Sequence, residues 1–379
     1  MFVYIAIFLI PLLFYFSKPK YQRSSKFLIS FFIFLGLFVG LGDMLGGYDR
    51  YIYGELFDSL ADDINFEYKI SDSDIFQSYG TEQGYIWLNW LIAHFTRNRY
   101  IFILLYTLLM YGITFFNFKK YTKSYNFALI LFMALVFYFS FTYLRQMMAA
   151  TIAAFSYRYI INKNFWKYCA VMLLAFSFHN SAIIFFPIYF IAHRKIPSSA
   201  IIMLMAICFI VGISGLTIGL YDTYGEMSDR ATHANYNAVG STRFAYILEA
   251  FFFLYYLLKA HKYIPNDKQS IVLYNIALSF CAVLLLFIRS ENGGRLSWYF
   301  VYGLIFSLTQ IATSRFGKRI KMDIVLGMVS FVLFLRLTMQ WAFNMTPYKT
   351  FLTPGHTADE WIYQKYEYDT SYDINKFYR

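Results

Sequence analysis

Residues 141–160, FTYLRQMMAATIAAFSYRYI, are apolar and helical in pattern, yet Arg145 and Gln146 sit among them as an adjacent polar pair. Ala149 and Ala153, and Ala150 and Ala154, follow four apart, a spacing that lets a neighbouring helix backbone come close. An ionised arginine costs roughly 2.5–3.5 kcal/mol at the centre of a membrane-inserted helix, so it needs a partner or a wet cavity. The alternative is a position near a helix end, from which the side chain snorkels to the headgroups. Which reading holds depends on where the other isolated polar residues fall.

Composition sets the class. Of 379 residues, 59% are hydrophobic and only 15% charged, with a mean hydropathy of +0.46. A soluble domain is far less apolar, and no polar linker divides the chain into an anchor and a soluble part. The expected fold is therefore all-α: one polytopic integral membrane domain over residues 1–379. Cys169, Cys208 and Cys281 lie in apolar runs without CxxC spacing, so neither a zinc site nor a disulfide framework is indicated. The net charge of +11 is scattered between apolar runs rather than gathered in a patch, which argues against nucleic acid as a partner.

Apolar runs predict spans at Phe2–Phe16, Phe27–Leu45, Tyr100–Asn117, Asn126–Thr142, Arg145–Ile161, Trp166–Phe178, Ser181–Ala192, Ser199–Leu220, Phe244–Leu258, Ile271–Ile288, Leu296–Thr313 and Asp323–Phe343. That is about twelve transmembrane segments, although 166–192 could be re-entrant rather than crossing twice. The first run lacks a basic n-region and is read as retained rather than as a cleaved signal. Gly84–Phe95 is too short to cross, since a span needs about 20 residues, and its Trp87 and Trp90 suit a re-entrant or interfacial helix at the outer face. An acidic loop over 46–83 and a polar tail over 344–379 complete the chain.

Alternate loops carry Lys18/Lys20/Arg23/Lys26, Lys119/Lys120/Lys123, Arg158/Lys163/Lys167, Arg194/Lys195, Lys259/Lys262/Lys268 and Arg315/Lys318/Arg319/Lys321, with Asp267 the lone acid among them. By the positive-inside rule these loops face the cytoplasm. Both termini and the acidic loop then face outward.

That orientation sorts the isolated polar residues onto one side. Arg145, His179, Arg243, Arg289 and Arg295 fall at outer ends or turns, and Asp43, Asp49, Glu82 and Gln83 edge the acidic loop. Outward arginines run against the positive-inside bias, which snorkelling does not explain. A guanidinium fork matches phosphate oxygens and keeps its proton, so these arginines suit a phosphate or diphosphate. A histidine suits a general base or a donor to a leaving oxygen. The bland readings are that His179 ties two half-helices, that Arg289 or Arg295 pairs with Glu291, and that Glu82 and Asp49 are solvated loop acids.

The LRQxxA core at Leu144–Ala149, HNSA at His179, YDRY at Tyr48–Tyr51, EQGY at Glu82–Tyr85 and GRLSWYF in the late turn resemble the EpsG family. Those polytopic proteins are grouped with the Wzy-type polymerases of bacterial exopolysaccharide, capsule and O-antigen. The resemblance runs over nearly the whole chain in the same order. It implies a membrane glycosyltransferase that moves a growing glycan from undecaprenyl diphosphate onto an incoming lipid-linked repeat unit, with a flippase and a chain-length regulator as possible companions. Arg145, Gln146, Arg243, Arg289, Arg295 and Asp49 are the expected substrate-binding residues; His179 or Glu82 would take the acceptor proton, with Arg145 beside them. No DxD-type metal cradle stands out, and no cofactor is expected. The rival readings are a flippase or transporter of lipid-linked sugars, which needs a polar path with only Asn275 and Asp323 to supply its inner half, and an O-antigen ligase-type transferase.

Overall fold

In the computed structural model the described residues are 1–17, 19–44, 48–217, 242–290, 293–355 and 370–379; the side chains of 19, 20, 48 and 342–345 are left aside. Helices and turns account for almost all of them, with one isolated antiparallel bridge between Gly42 and Thr350. The α-helices are α1 (Phe2–Ser17), α2 (Ser25–Leu41), α3 (Tyr48–Asn65), α4 (Asp74–Tyr79), α5 (Gln83–Ala93), α6 (Arg99–Tyr121), α7 (Tyr125–Leu135), α8 (Phe139–Thr142), α9 (Leu144–Phe155) and α10 (Tyr157–Ile161). They continue as α11 (Phe165–Phe178), α12 (Ile188–Ile191), α13 (Ser198–Ser214), α14 (Phe244–Ala260), α15 (Lys268–Leu286), α16 (Val301–Ala312), α17 (Arg315–Arg319), α18 (Met322–Met345) and α19 (Ser371–Ile374). Short 3-10 helices at Asn180–Phe185 and Gly293–Phe300 complete the two late turns.

Helix starts follow local chemistry. Ser24 accepts from the Phe27 N–H at the start of α2, Asn98 accepts from Tyr100 and Ile101 at α6, and Asp267 accepts from Ser270 at α15. Each satisfies donors that the first turn leaves without an intrahelical partner.

Among the described residues four stretches are long and apolar enough to cross a membrane as single helices: Arg99–Tyr121, Phe244–Tyr263, Lys268–Leu286 and Met322–Trp341. Several of the other expected spans are shorter or broken. The run expected over 126–142 divides into α7 and α8, and that over 145–161 into α9 and α10. Both breaks have a serine whose hydroxyl donates back to a main-chain carbonyl: Ser140 to Phe137 and Ser156 to Ala153, each at 2.6 Å. Such back-bonding competes with the helical ladder and bends or ends it. The stretch over 181–192 winds as a 3-10 turn followed by the four-residue α12. The acidic stretch expected as a loop over 46–83 is largely helical, as α3 and α4.

Contacts divide the chain into two compact units. The first comprises 1–148, 177–179 and 325–379; the second comprises 149–176 and 180–324. In the first, α2 packs on α6 with Gly40 against Leu104, where an added Cβ would lie 2.7 Å from Leu104 Cδ1 and 3.2 Å from its Cα. Tyr4, Phe38, Phe137, Tyr138, Phe141 and Phe334 form an aromatic core, and Tyr348 stacks on Phe38 at 4.1 Å. Arg99, paired with Asp58, and Lys119/Lys120 lie at opposite ends of α6, about 30 Å apart at the helical rise.

The acidic helix α3 is tied down by charge. Fully buried Arg50 donates from Nη1 to Val39 O at 3.0 Å and from Nη2 to Gly42 O at 2.7 Å, capping the end of α2. Asp58 receives Arg99 Nε at 2.7 Å and Tyr372 Oη at 2.8 Å. Lys376 reaches Asp43 at 3.2 Å, and Arg379 reaches Asp62 at 2.7 Å. The last ten residues are thus packed onto the first unit by their own basic side chains.

In the second unit α15 is central, packed by α13, α14 and α16. Thr151 of α9 hydrogen-bonds Tyr302 at 2.9 Å, and Tyr157 of α10 accepts from the Gly303 N–H at 3.2 Å. Ala149, Ala150, Ala153 and Ala154 are all fully buried, as their spacing predicts.

Candidate functional site

Arg145 opens α9 as its second residue, and Glu82 stands at the N-cap of α5. The two meet: Arg145 Nη1 donates to Glu82 Oε2 in an ion pair where Glu82 is fully buried and Arg145 is 9% exposed. Arg145 Nε points to Tyr53 Oη at 3.4 Å. The guanidinium lies 3.7 Å from the centre of the Tyr79 ring, with the Tyr53 and Tyr85 rings at 5.5 and 5.7 Å. Ring faces carry negative potential, so three tyrosines and one carboxylate compensate a single cation that has left water. Among the described residues Nη2 takes no hydrogen-bond partner, which leaves one arm of the fork open.

Tyr53 and Asp49 lie one turn apart on α3. Burial raises the pKa of the Tyr53 hydroxyl, against the opposing pull of Arg145, so it keeps its proton and offers its oxygen to Nε. Asp49 is half-buried, and Gln146, beside Arg145, is 5% exposed.

His179 follows the last residue of α11, and the chain on its N-terminal side is brought to the EQGY motif. A Cβ built on Gly84 would fall 2.3 Å from Ser177 Oγ, 3.1 Å from Ser177 Cβ and 3.2 Å from Phe178 Cδ2. Only glycine permits that approach. Glu82 therefore lies two residues from a glycine packed on the segment that leads into His179. Tyr85 and Tyr106 sit with ring centres 6.0 Å apart, and Tyr106 and Phe178 6.5 Å apart. Within the first unit the fold thus assembles Glu82, Arg145 and the approach to His179, framed by tyrosines.

The other three arginines belong to the second unit. The Arg243 N–H donates to Ile288 O at 2.8 Å, directly before Arg289. A Cβ on Gly294 would fall 2.4 Å from the ring of Tyr246, one turn past Arg243, which places Arg295 at the same end of that unit. Arg289 Nη1 donates to Ile213 O at 3.3 Å. Glu291, expected as a partner for Arg289 or Arg295, lies outside the described residues. Among the described residues no group of three or more His, Cys, Asp or Glu side chains is arranged to hold a metal ion.

A model of the EpsG family matches residues 27–350. The chain belongs to the EpsG family. That family is associated with polysaccharide biosynthesis, and its apolar helices make this member a membrane protein. No curated protein and no solved structure matches it. The match covers YDRY, EQGY, LRQxxA, HNSA and the GGR turn, so every candidate residue of this EpsG family member falls within it.

Sequence reasoning picked out Arg145 and Glu82 separately and did not foresee their pairing. It missed Tyr53, Tyr79, Tyr106 and Gly84. Gly84 and Tyr85 stood in a quoted motif, but their role depends on the distant 177–178 segment. Arg50 stood in YDRY and among the few basic residues of the acidic stretch; the structure commits that side chain to main-chain carbonyls.

Proposed function

We propose that this EpsG family member is a membrane glycosyltransferase that joins undecaprenyl-diphosphate-linked oligosaccharide repeat units into a surface polysaccharide. It would act at the outer face of the cytoplasmic membrane, as one polytopic domain with both termini outside. The observation that carries the reading is the Arg145 fork: one nitrogen held by Glu82, one turned to Tyr53, and one without a hydrogen-bond partner among the described residues. A buried arginine held in this way is preorganised to receive a phosphate oxygen without reorienting.

The transfer balances as a displacement. The acceptor hydroxyl oxygen attacks the anomeric carbon of the donor glycan, and the bond from that carbon to the diphosphate oxygen breaks. The diphosphate leaves with the bonding electrons, and its charge is neutralised by Arg145. The acceptor proton passes to His179. Glu82 is engaged by Arg145, so its role is to position the guanidinium, and His179 is the base. Asp49 and Gln146 flank this centre, and Arg243, Arg289 and Arg295 supply further diphosphate-binding charge in their own unit.

The transporter reading would have to draw its inner polar path from residues that already carry local bonds. Asn275 donates to Ala192 O and Arg194 O, both at 2.8 Å, and Asp323 is paired with Lys318. Asp323 and the Asn275 amide nitrogen are thus engaged locally, while Asn275 Oδ1 takes no partner among the described residues.

Deleting the gene tests the reading. Single lipid-linked repeat units should accumulate while the polymer ladder disappears. Loss of the single units as well would move the step upstream to assembly or flipping. A long ladder that persists but stays on the lipid carrier would indicate a ligase. With purified protein, His179→Ala should lower polymer formed per folded molecule about 10²–10⁴-fold.

A further inference from the structure

Helix α5 has two faces. Trp87 and Leu91 are half exposed, whereas Tyr85 and Asn89, four apart on the other side, are fully buried. On the buried side three polar atoms have no hydrogen-bond partner among the described residues: Tyr85 Oη, Asn89 Oδ1 and, from α6, Tyr106 Oη. Asn89 spends its amide N–H₂ on Tyr85 O at 2.8 Å, which leaves its carbonyl as a pure acceptor. Buried polar groups are nearly always paired, and orphans that share one interface call for an occupant. Tyr85 and Tyr106 border the Arg145–Glu82 centre, the Tyr85 ring lying 5.7 Å from the guanidinium and 6.0 Å from the Tyr106 ring, and Asn89 follows one turn along the same face of α5.

We propose that Tyr85, Asn89 and Tyr106 form the wall that recognises the saccharide next to the diphosphate, and so contribute to which repeat unit is accepted. The inference rests on the glycosyltransferase reading above. The chemistry selects the ligand class. A phosphate only accepts hydrogen bonds and would be repelled by the Asn89 carbonyl. A sugar hydroxyl both donates and accepts, so it satisfies Asn89 Oδ1 and the two phenols together. The tyrosine rings add apolar faces of the kind on which a pyranose packs. In the structure these side chains are buried, and leaving their polar atoms unpaired is costly, which favours an occupied state in which a sugar hydroxyl pairs them.

The test uses full-length detergent-solubilised protein and two probes: oligosaccharides released by mild acid from the host's surface polysaccharide, and inorganic pyrophosphate. Tyr85→Phe and Tyr106→Phe keep the ring and remove the hydroxyl. Each should raise the oligosaccharide Kd by roughly three- to tenfold in calorimetry, the worth of one neutral hydrogen bond. Pyrophosphate binding should be unchanged, and the melting temperature should equal or exceed wild type, because an unpaired buried hydroxyl has been removed. A merely structural hydroxyl would lower the melting temperature and leave oligosaccharide binding alone. Wild-type oligosaccharide affinity in both variants, or no binding to the wild type, overturns the wall. If deletion abolishes the polymer while both variants bind and polymerise normally, the wall falls and the glycosyltransferase reading stands. If the tyrosines govern binding but deletion leaves the polymer intact, the reading falls and the wall stands.

Discussion

Gly84→Ala adds one carbon at the point where α5 leans on the segment before His179. The new Cβ would meet Ser177 Oγ at 2.3 Å, Ser177 Cβ at 3.1 Å and Phe178 Cδ2 at 3.2 Å. The hydroxyl has to turn away from the new carbon. The other two contacts are tighter than ordinary van der Waals separation and yield only if α5 or residues 177–178 shift by a few tenths of an ångström. Overpacking of this kind costs about 1–3 kcal/mol. The functional cost should be larger in proportion, because Glu82 precedes Gly84 by two residues and His179 follows Phe178. Misplacement of a reacting group by about 1 Å can lower a rate about 10²-fold. The assay is polymer formed per folded molecule by purified protein, alongside thermal unfolding in detergent. Gly84→Ala should lower the melting temperature modestly and turnover by about one to two orders of magnitude. Adding Ser177→Ala removes the 2.3 Å contact but not the other two, so the double variant should regain part of the loss, judged against Ser177→Ala alone. Wild-type turnover and stability in Gly84→Ala would refute the claim that this contact positions the site.

Arg145→Lys should lose most polymerisation although the charge stays, because an ammonium cannot span Glu82 and Tyr53 and still offer an open arm; normal turnover with normal folding would favour a snorkelling role. Glu82→Met should cost about 3–5 kcal/mol by stranding a buried guanidinium, while Glu82→Met with Arg145→Met should recover most of that stability and no activity; chemical denaturation and polymer assays separate the two. Asp267→Ala removes the N-cap of α15 and should cost about 1 kcal/mol. Burial pushes the Asp267 pKa up, but hydrogen bonds from Ser270 Oγ and nearby N–H groups outweigh it and hold it below the ordinary value. Its contribution is therefore full above the unfolded value of about 4 and is lost as pH falls through the folded one, so the gap in melting temperature should persist from pH 7 to 5 and close below about pH 4. For topology, in a background lacking Cys169, Cys208 and Cys281, Ser71→Cys should react with an impermeant thiol reagent on intact cells and Lys120→Cys only after lysis; the reverse pattern would invert the orientation.

What the sequence made legible follows from which costs are local. The all-helical class is written in composition, and the close packing of α9 in its alanine spacing. The breaks at 136–138 and at Ser156 carry no proline or glycine; their signal is a single serine hydroxyl turned back on a carbonyl, which resembles any other serine in an apolar run. Helix α3 was hidden for a different reason. Its inward face includes Arg50 and Asp58 beside Tyr51, Phe57 and Leu60, so a periodicity count sees charge where the fold sees burial. Those charges are affordable only because of residues far along the chain: Asp58 meets Tyr372 across 314 positions, and Glu82 meets Arg145 across 63. The rule that a charge in an apolar setting marks a site therefore selects Arg50 and Arg145 alike. What separates them is the partner. Arg50 gives Nη1 and Nη2 to the carbonyls that end α2, an arrangement no ligand can join without unwinding the helix end. Arg50 Nε and Arg145 Nη2 both lack a hydrogen-bond partner among the described residues, but Arg145 is held by side chains, so an anion can bind while the backbone stays as it is. That difference, invisible at the level of residue type, is what makes one arginine a cap and the other the centre of the proposed chemistry.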